Sequence, residues 1–203
     1  MQQLEVAYEI RDCARYMVGS PAAEPSPGYN YQTLLSLVSS TTTPELMCRA
    51  IVDAYAQTYP APKKAITQTA VDLSRMSDIA AAADRFARAM IAAAPQLPGL
   101  SDARRSALNY STADGGINRY YLDIIDYARR CADLAGPAAQ QAAAALESAI
   151  AGAIIAEFHN PDTPAARGLA VYAPPSTLYD GRYESLRLAA DTSWDEWLRS
   201  QGQ

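Results

Sequence analysis

The sequence predicts a helix-rich α/β chain, and three observations predict it. Alanine supplies 41 of the 203 residues, and alanine has the highest intrinsic helix propensity. Long stretches carry apolar residues at helical spacing. Between them lie short runs that are rich in β-branched residues or bounded by glycine and proline, as buried strands are. Helices alternating with strands argue for layered α/β architecture with parallel strand pairing.

Taken in order, Leu4, Ala7, Tyr8, Cys13, Ala14, Met17 and Val18 predict a helix from Met1 to Val18, stopped by Gly19. It has no Ser, Thr, Asp or Asn cap in front, as though a cap and its strand stood upstream. Residues 20–30, SPAAEPSPGYN, hold three prolines and a glycine and form a loop. Helices follow over Tyr31–Val38, Pro44–Tyr59 and from about Ser74 to Ala94. Thr43 reads as an N-cap with Pro44 at the first helical position. Ala65–Asp72 alternates and reads as a strand. Tyr120, Tyr121, Ile124, Ile125, Tyr127, Ala128 and Cys131 make one face of a further helix, opposite Asp123, Asp126, Arg129 and Arg130. After the Gly136–Pro137 break the alanine run Ala138–Ala151 is helical. Ala153–Phe158 fits a strand or a helix end, and Gly168–Ala173 reads as a buried strand. The tail from Thr192 predicts a helix with Trp194, Trp197 and Leu198 on one face. Three strands are too few for a self-standing sheet with helices on both faces, so the chain reads as the later part of one domain.

The formal charge of −5 argues against a nucleic-acid groove or an anionic membrane as partner. No window approaches 18 strongly apolar residues, and the start shows no basic region followed by an apolar stretch, so neither a span nor a signal peptide is expected on this chain. Cys13, Cys48 and Cys131 fit no paired spacing and read as free thiols; no disulfide, metal site or cofactor is implied. His159 stands alone and reads as a surface or capping residue, since a catalytic base needs a nucleophile partner. Gly115–Gly116 lacks the P-loop lysine and reads as a loop. Asp12, Asp78, Asp84, Asp123 and Asp126 read as solvated helix faces. The GxSxG elbow of the α/β-hydrolases is absent. Of the 13 tyrosines, Tyr29, Tyr31, Tyr110, Tyr179 and Tyr183 stand at loop–helix joints, and Tyr29 and Tyr31 are candidates for an aromatic subsite.

Three stretches carry a more specific signal. The first contains Glu5–Glu9 (EVAYE), Tyr16–Ser20 (YMVGS) and then Glu24, Pro25, Gly28, Tyr29 and Tyr31; the second is Tyr121–Ala128 (YLDIIDYA). The third joins Gly168–Pro174 (GLAVYAP) to Tyr183, Leu186, Asp191, Thr192, Trp194, Asp195 and Leu198. In this order they resemble the clostripain family of cysteine peptidases, in the part that follows its Asp-x-Cys-x-Met motif.

The resemblance implies the carboxyl-terminal part of a caspase-like α/β/α sandwich lacking its amino-terminal strands, spanning residues 1–203. The family's nucleophile lies two residues before the methionine that matches Met1, its His-Gly motif further upstream, and its acidic P1-binding residue two positions before the cysteine. The chain is therefore expected to carry no catalytic residue, to be inactive alone, and to need the missing amino-terminal half as partner. A thiolate needs an adjacent base, and Cys13 is too far along to substitute. The implied substrate is a peptide or protein, with Glu24, Tyr29 and Tyr31 at the substrate-binding loop. The family's loop commonly has Asp before its Gly-aromatic pair; this chain has Pro27, leaving Glu24 as the nearby carboxylate. The alternative is a non-catalytic helical interaction or scaffold protein descended from such a peptidase.

Overall fold

A computed structural model describes residues 2–59, 66–93, 97–111 and 120–201. Gly115–Gly116 and the outermost predicted helix and strand residues Met1, Ala65 and Ala94 lie outside them.

The chain opens with helix α1, Leu4–Glu9, which is far shorter than the predicted Met1–Val18. After a turn, Tyr16–Gly19 is strand β1, antiparallel to β2, Thr67–Asp72. Its Tyr, Met and Val suit a pleated surface, and pairing with β2 overrides the helical spacing. Helices α2, Tyr31–Ser36, and α3, Pro44–Thr58, follow the expected positions. Thr43 caps α3 by accepting from Leu46 N, with proline just inside, as its sequence predicts. A short 3₁₀ turn, Leu73–Arg75, leads into α4, Met76–Ala93, and then α5, Leu100–Ser106.

Tyr121–Asp123 is strand β3, and the predicted helix begins only afterwards, as α6, Ile124–Ala135. Asp123 is the reason: its side chain accepts from Ile125 N and Asp126 N, so it caps α6 from a fully buried position instead of facing water. The alanine-rich α7, Pro137–Ala153, runs directly into β4, Ile154–His159, so the ambiguous 153–158 run resolves as a strand. β5, Ala170–Tyr172, occupies the predicted buried strand; α8, Arg187–Asp191, and α9, Trp194–Ser200, close the chain.

Among the described residues the strands form an antiparallel β1-β2-β4 sheet and an antiparallel β3-β5 pair. Parallel pairing is thus corrected to antiparallel. Parallel pairing is the expectation for strands alternating with single helices, but each connection between paired strands here holds two or more helices, so that alternation does not set the strand direction. The parallel contact that does occur is the isolated bridge Gln3↔Ala170. Where the two layers cross, Gly168 has φ 89°, and a Cβ there would lie 2.8 Å from Thr69 Cγ2, so glycine is needed both for backbone and for space.

The main core joins α1, α4, α6, α7 and α9 around Phe86, Met90, Ile124, Tyr127 and Leu146, all with no exposed surface. Trp194, Trp197 and Leu198 are fully buried on one face of α9, as predicted, and Phe86 meets Trp197 edge-on at 5.2 Å. A separate apolar layer of Cys48, Val52 and Ala70 glues α3 to one face of the sheet.

Candidate substrate-binding site

The loop from Ser20 to Asn30 is held at both ends. Ala22 N donates to Ser20 Oγ, which lies 2.9 Å from Thr67 Oγ1 on β2. At the far end the Asn30 side chain accepts from Thr33 N and caps α2. Between these anchors Gly28 N donates to Pro25 O across a tight turn, with Gly28 at φ 66°. Tyr29 leaves this turn pointing at α3.

There it meets an aromatic ladder. The Tyr29 ring centroid is 5.4 Å from that of Tyr55 and 6.4 Å from that of Tyr31, and Tyr55 is 4.9 Å from Tyr59. Tyr55 and Tyr59 are spaced i, i+4 on α3 and so share a face. Tyr59 ties the ladder back to the turn by donating to Gly28 O at 2.6 Å. The Tyr29 hydroxyl accepts from Gln68 Nε2 at 2.5 Å and donates to Glu24 Oε1 at 3.5 Å.

Glu24 and Tyr31 are exposed, Tyr29 is half-buried, and Tyr55 and Gln68 are buried. The structure therefore brings the three sequence-predicted residues into one patch and adds Tyr55, Tyr59 and Gln68. The i, i+4 tyrosines were a readable signal; Gln68, in the middle of a β-branched strand, gave none. Burial, followed by the Glu24 charge, pushes the Tyr29 phenol up to about 12, while the Gln68 donor opposes the rise. Burial likewise raises Tyr55. Both phenols are neutral at pH 7. The patch thus offers one carboxylate beside π faces, chemistry suited to a cation.

The remaining candidates stand apart from it. His159 Nδ1 lies 2.8 Å from Glu157 Oε1, at the end of β4. Alternation along β4 puts His159 on the sheet face opposite Ala156, whose layer contains Cys48. Cys131 is buried in α6 and Cys13 is exposed in the turn after α1. Burial pushes the Cys131 thiol up to about 12 and also raises that of Cys48, so neither of these two is activated. Among the described residues no group of three or more His, Cys, Asp or Glu could hold a metal ion. No helix among them is long and apolar enough to cross a membrane.

The model of the clostripain family matches residues 1–199. The chain belongs to the clostripain family. No curated protein matches it significantly. Its fold is similar to that of a cysteine protease of B. fragilis, at TM-score 0.72 and 20% identity, covering 96% of this chain and 85% of that one. An inactive zymogen C11 protease from Parabacteroides distasonis is similar at TM-score 0.67 and 20% identity, over 95% of this chain and 56% of that one. A clostripain from Bacteroides thetaiotaomicron, solved with a peptide inhibitor, follows at TM-score 0.65 and 14% identity, over 94% of this chain and 82% of that one.

In this clostripain-family chain the three family-like stretches meet in space. Glu5 Oε1, on α1, accepts from Tyr172 N and Tyr183 OH, each at 2.9 Å, and burial raises the Glu5 carboxyl. Tyr8 OH donates to Asp191 Oδ2 at 2.8 Å. Asp123 Oδ2, from the second stretch, accepts from Arg167 N at 2.7 Å, next to the third.

Proposed function

We propose that this chain is the substrate-binding, post-nucleophile part of a clostripain-type cysteine endopeptidase domain: a partial caspase-like sandwich whose thiolate and imidazole come from residues outside these 203. In the complete domain the thiolate attacks the scissile carbonyl, the amine leaves, and water hydrolyses the thioester. This chain's share is to hold the substrate. Glu24 faces a basic side chain, Tyr29 fixes Glu24 and Tyr31 flanks it.

The observation that carries this reading is the Glu24 carboxylate set against the Tyr29–Tyr55 rings beside the exposed Tyr31. Cys48 and His159 lie on opposite faces of the sheet.

Two assays test it. The 203-residue chain should hydrolyse no fluorogenic peptide; turnover abolished by Cys13→Ala, Cys48→Ala, Cys131→Ala or His159→Ala overturns the reading. Joined to an upstream segment carrying Asp-x-Cys and His-Gly, the chain should become a peptidase. Glu24→Gln should then lower the ratio of basic to neutral kcat/KM by about three- to tenfold, a charge-assisted contact discounted for solvent screening at an exposed carboxylate. An unchanged ratio removes Glu24 from the pocket.

A further inference from the structure

We propose that Gln68 is a positioning residue that acts through the Tyr29 hydroxyl to orient the Glu24 carboxylate for a cationic ligand. This rests on the reading of Glu24 as the group that faces a basic side chain.

Gln68 has no exposed surface and sits inside β2, on the sheet face that packs against α3. A primary amide buried there costs free energy unless its hydrogen bonds are made, and an aliphatic chain would fill the same space without that cost. Its Nε2 nevertheless donates to Tyr29 OH at 2.5 Å, while its Oε1 has no partner among the described residues. The amide is only half satisfied, and the half that is satisfied points at the ligand patch.

The polarity of the contact matters. A phenol has one proton to give. When its oxygen accepts from Gln68, that proton is free to point at Glu24, where Oε1 lies 3.5 Å away. With the amide reversed, Tyr29 would donate inward and turn a lone pair toward the carboxylate. The Glu24 contact therefore selects the orientation in which Gln68 donates. The Tyr55 ring, 5.4 Å from Tyr29, and the Tyr59 bond to Gly28 O hold the phenol in this line. Gln68 thus directs a relay from the sheet to the surface: amide N–H to phenol, phenol O–H to carboxylate.

The experiment is a double-mutant cycle on the 203-residue chain, with agmatine as the guanidinium probe and calorimetry as the readout. Glu24→Gln, Gln68→Leu and Tyr29→Phe should each weaken agmatine binding, the last two by about three- to tenfold, the worth of one neutral hydrogen bond. Gln68→Leu combined with Tyr29→Phe should weaken it no further than either alone, because both remove the same relay. In addition, the side-chain amide resonance of Gln68 should move in Tyr29→Phe and on adding agmatine to the unaltered chain. Additive losses in the cycle overturn the proposal, as does Gln68→Leu binding like the unaltered chain while Glu24→Gln is weakened; in both cases Glu24 keeps its role. Absence of agmatine binding, or no effect of Glu24→Gln, overturns the Glu24 reading and the Gln68 proposal together. If Gln68→Leu does not fold by circular dichroism, the resonance decides: a Gln68 amide unmoved by Tyr29→Phe overturns the proposal.

Discussion

Asp123 shows how much one residue can carry. Both carboxylate oxygens are used: Oδ1 accepts from Ile125 N and Asp126 N, and Oδ2 from Tyr110 OH and Arg167 N, so β3, α6 and the segment before β5 are joined at one point. Burial pushes the carboxyl up to about 6, while the Asp126 N, Tyr110 OH and Arg167 N donors pull the other way. Asp123→Asn keeps the shape but offers one acceptor atom where Asp offers two, so two buried donors lose their partner whichever way the amide turns. The expected loss is about 3 kcal/mol in urea unfolding at pH 7, against about 1 kcal/mol for Tyr110→Phe, which removes one donor only. Equal losses would show that the backbone donors are satisfied elsewhere. Helical spacing alone put Asp123 on a solvated face, because periodicity records which side of a helix a residue occupies and not what packs against its first turn.

At the scale of elements, α9 is tied to α4 by Asp84, another aspartate whose sequence position suggested simple solvation. Its carboxylate accepts from Ser193 N at 2.8 Å, just ahead of α9, and pairs with Arg88 Nε at 2.8 Å. Burial works against ionisation, but the Arg88 and Ser193 donors outweigh it and hold the carboxyl below its ordinary value. A depressed carboxyl stabilises the fold fully above its unfolded value, near pH 4, and loses that contribution as pH falls through the lower folded value. Asp84→Ala should therefore cost about 1–2 kcal/mol at pH 7 and much less near pH 2.5, as read from urea midpoints at the two pH values. A penalty independent of pH would mean that packing, not the charge, ties the two helices.

For the whole molecule, the accessible surface is 9930 Å². A folded monomer of 21.8 kDa is expected to have about 9,300 Å². The excess is small, so the core closes around its own apolar residues. A single sharp thermal transition by circular dichroism is the expected outcome; a broad transition with dye-binding apolar surface would contradict it. The outer edges of β1 and β4 carry no strand among the described residues, and they are where association would begin.

The helical segments from Tyr31 to Ala93, the Thr43 cap, the alanine-rich α7 and the buried face of α9 were all determined by the sequence itself. Their signals are local: propensity, spacing and caps act within a few turns. So was the family, because its motifs are short and keep their order along the chain. Only the tertiary structure decided that Tyr16–Gly19 is a strand, that the strands paired among the described residues run antiparallel, and that Asp123 is buried. It alone set Tyr55 and Gln68 beneath Tyr29. These depend on partners more than 20 residues away in the chain, such as Asp72 for Tyr16 and Arg167 for Asp123, and no local pattern encodes which distant donor or strand will arrive.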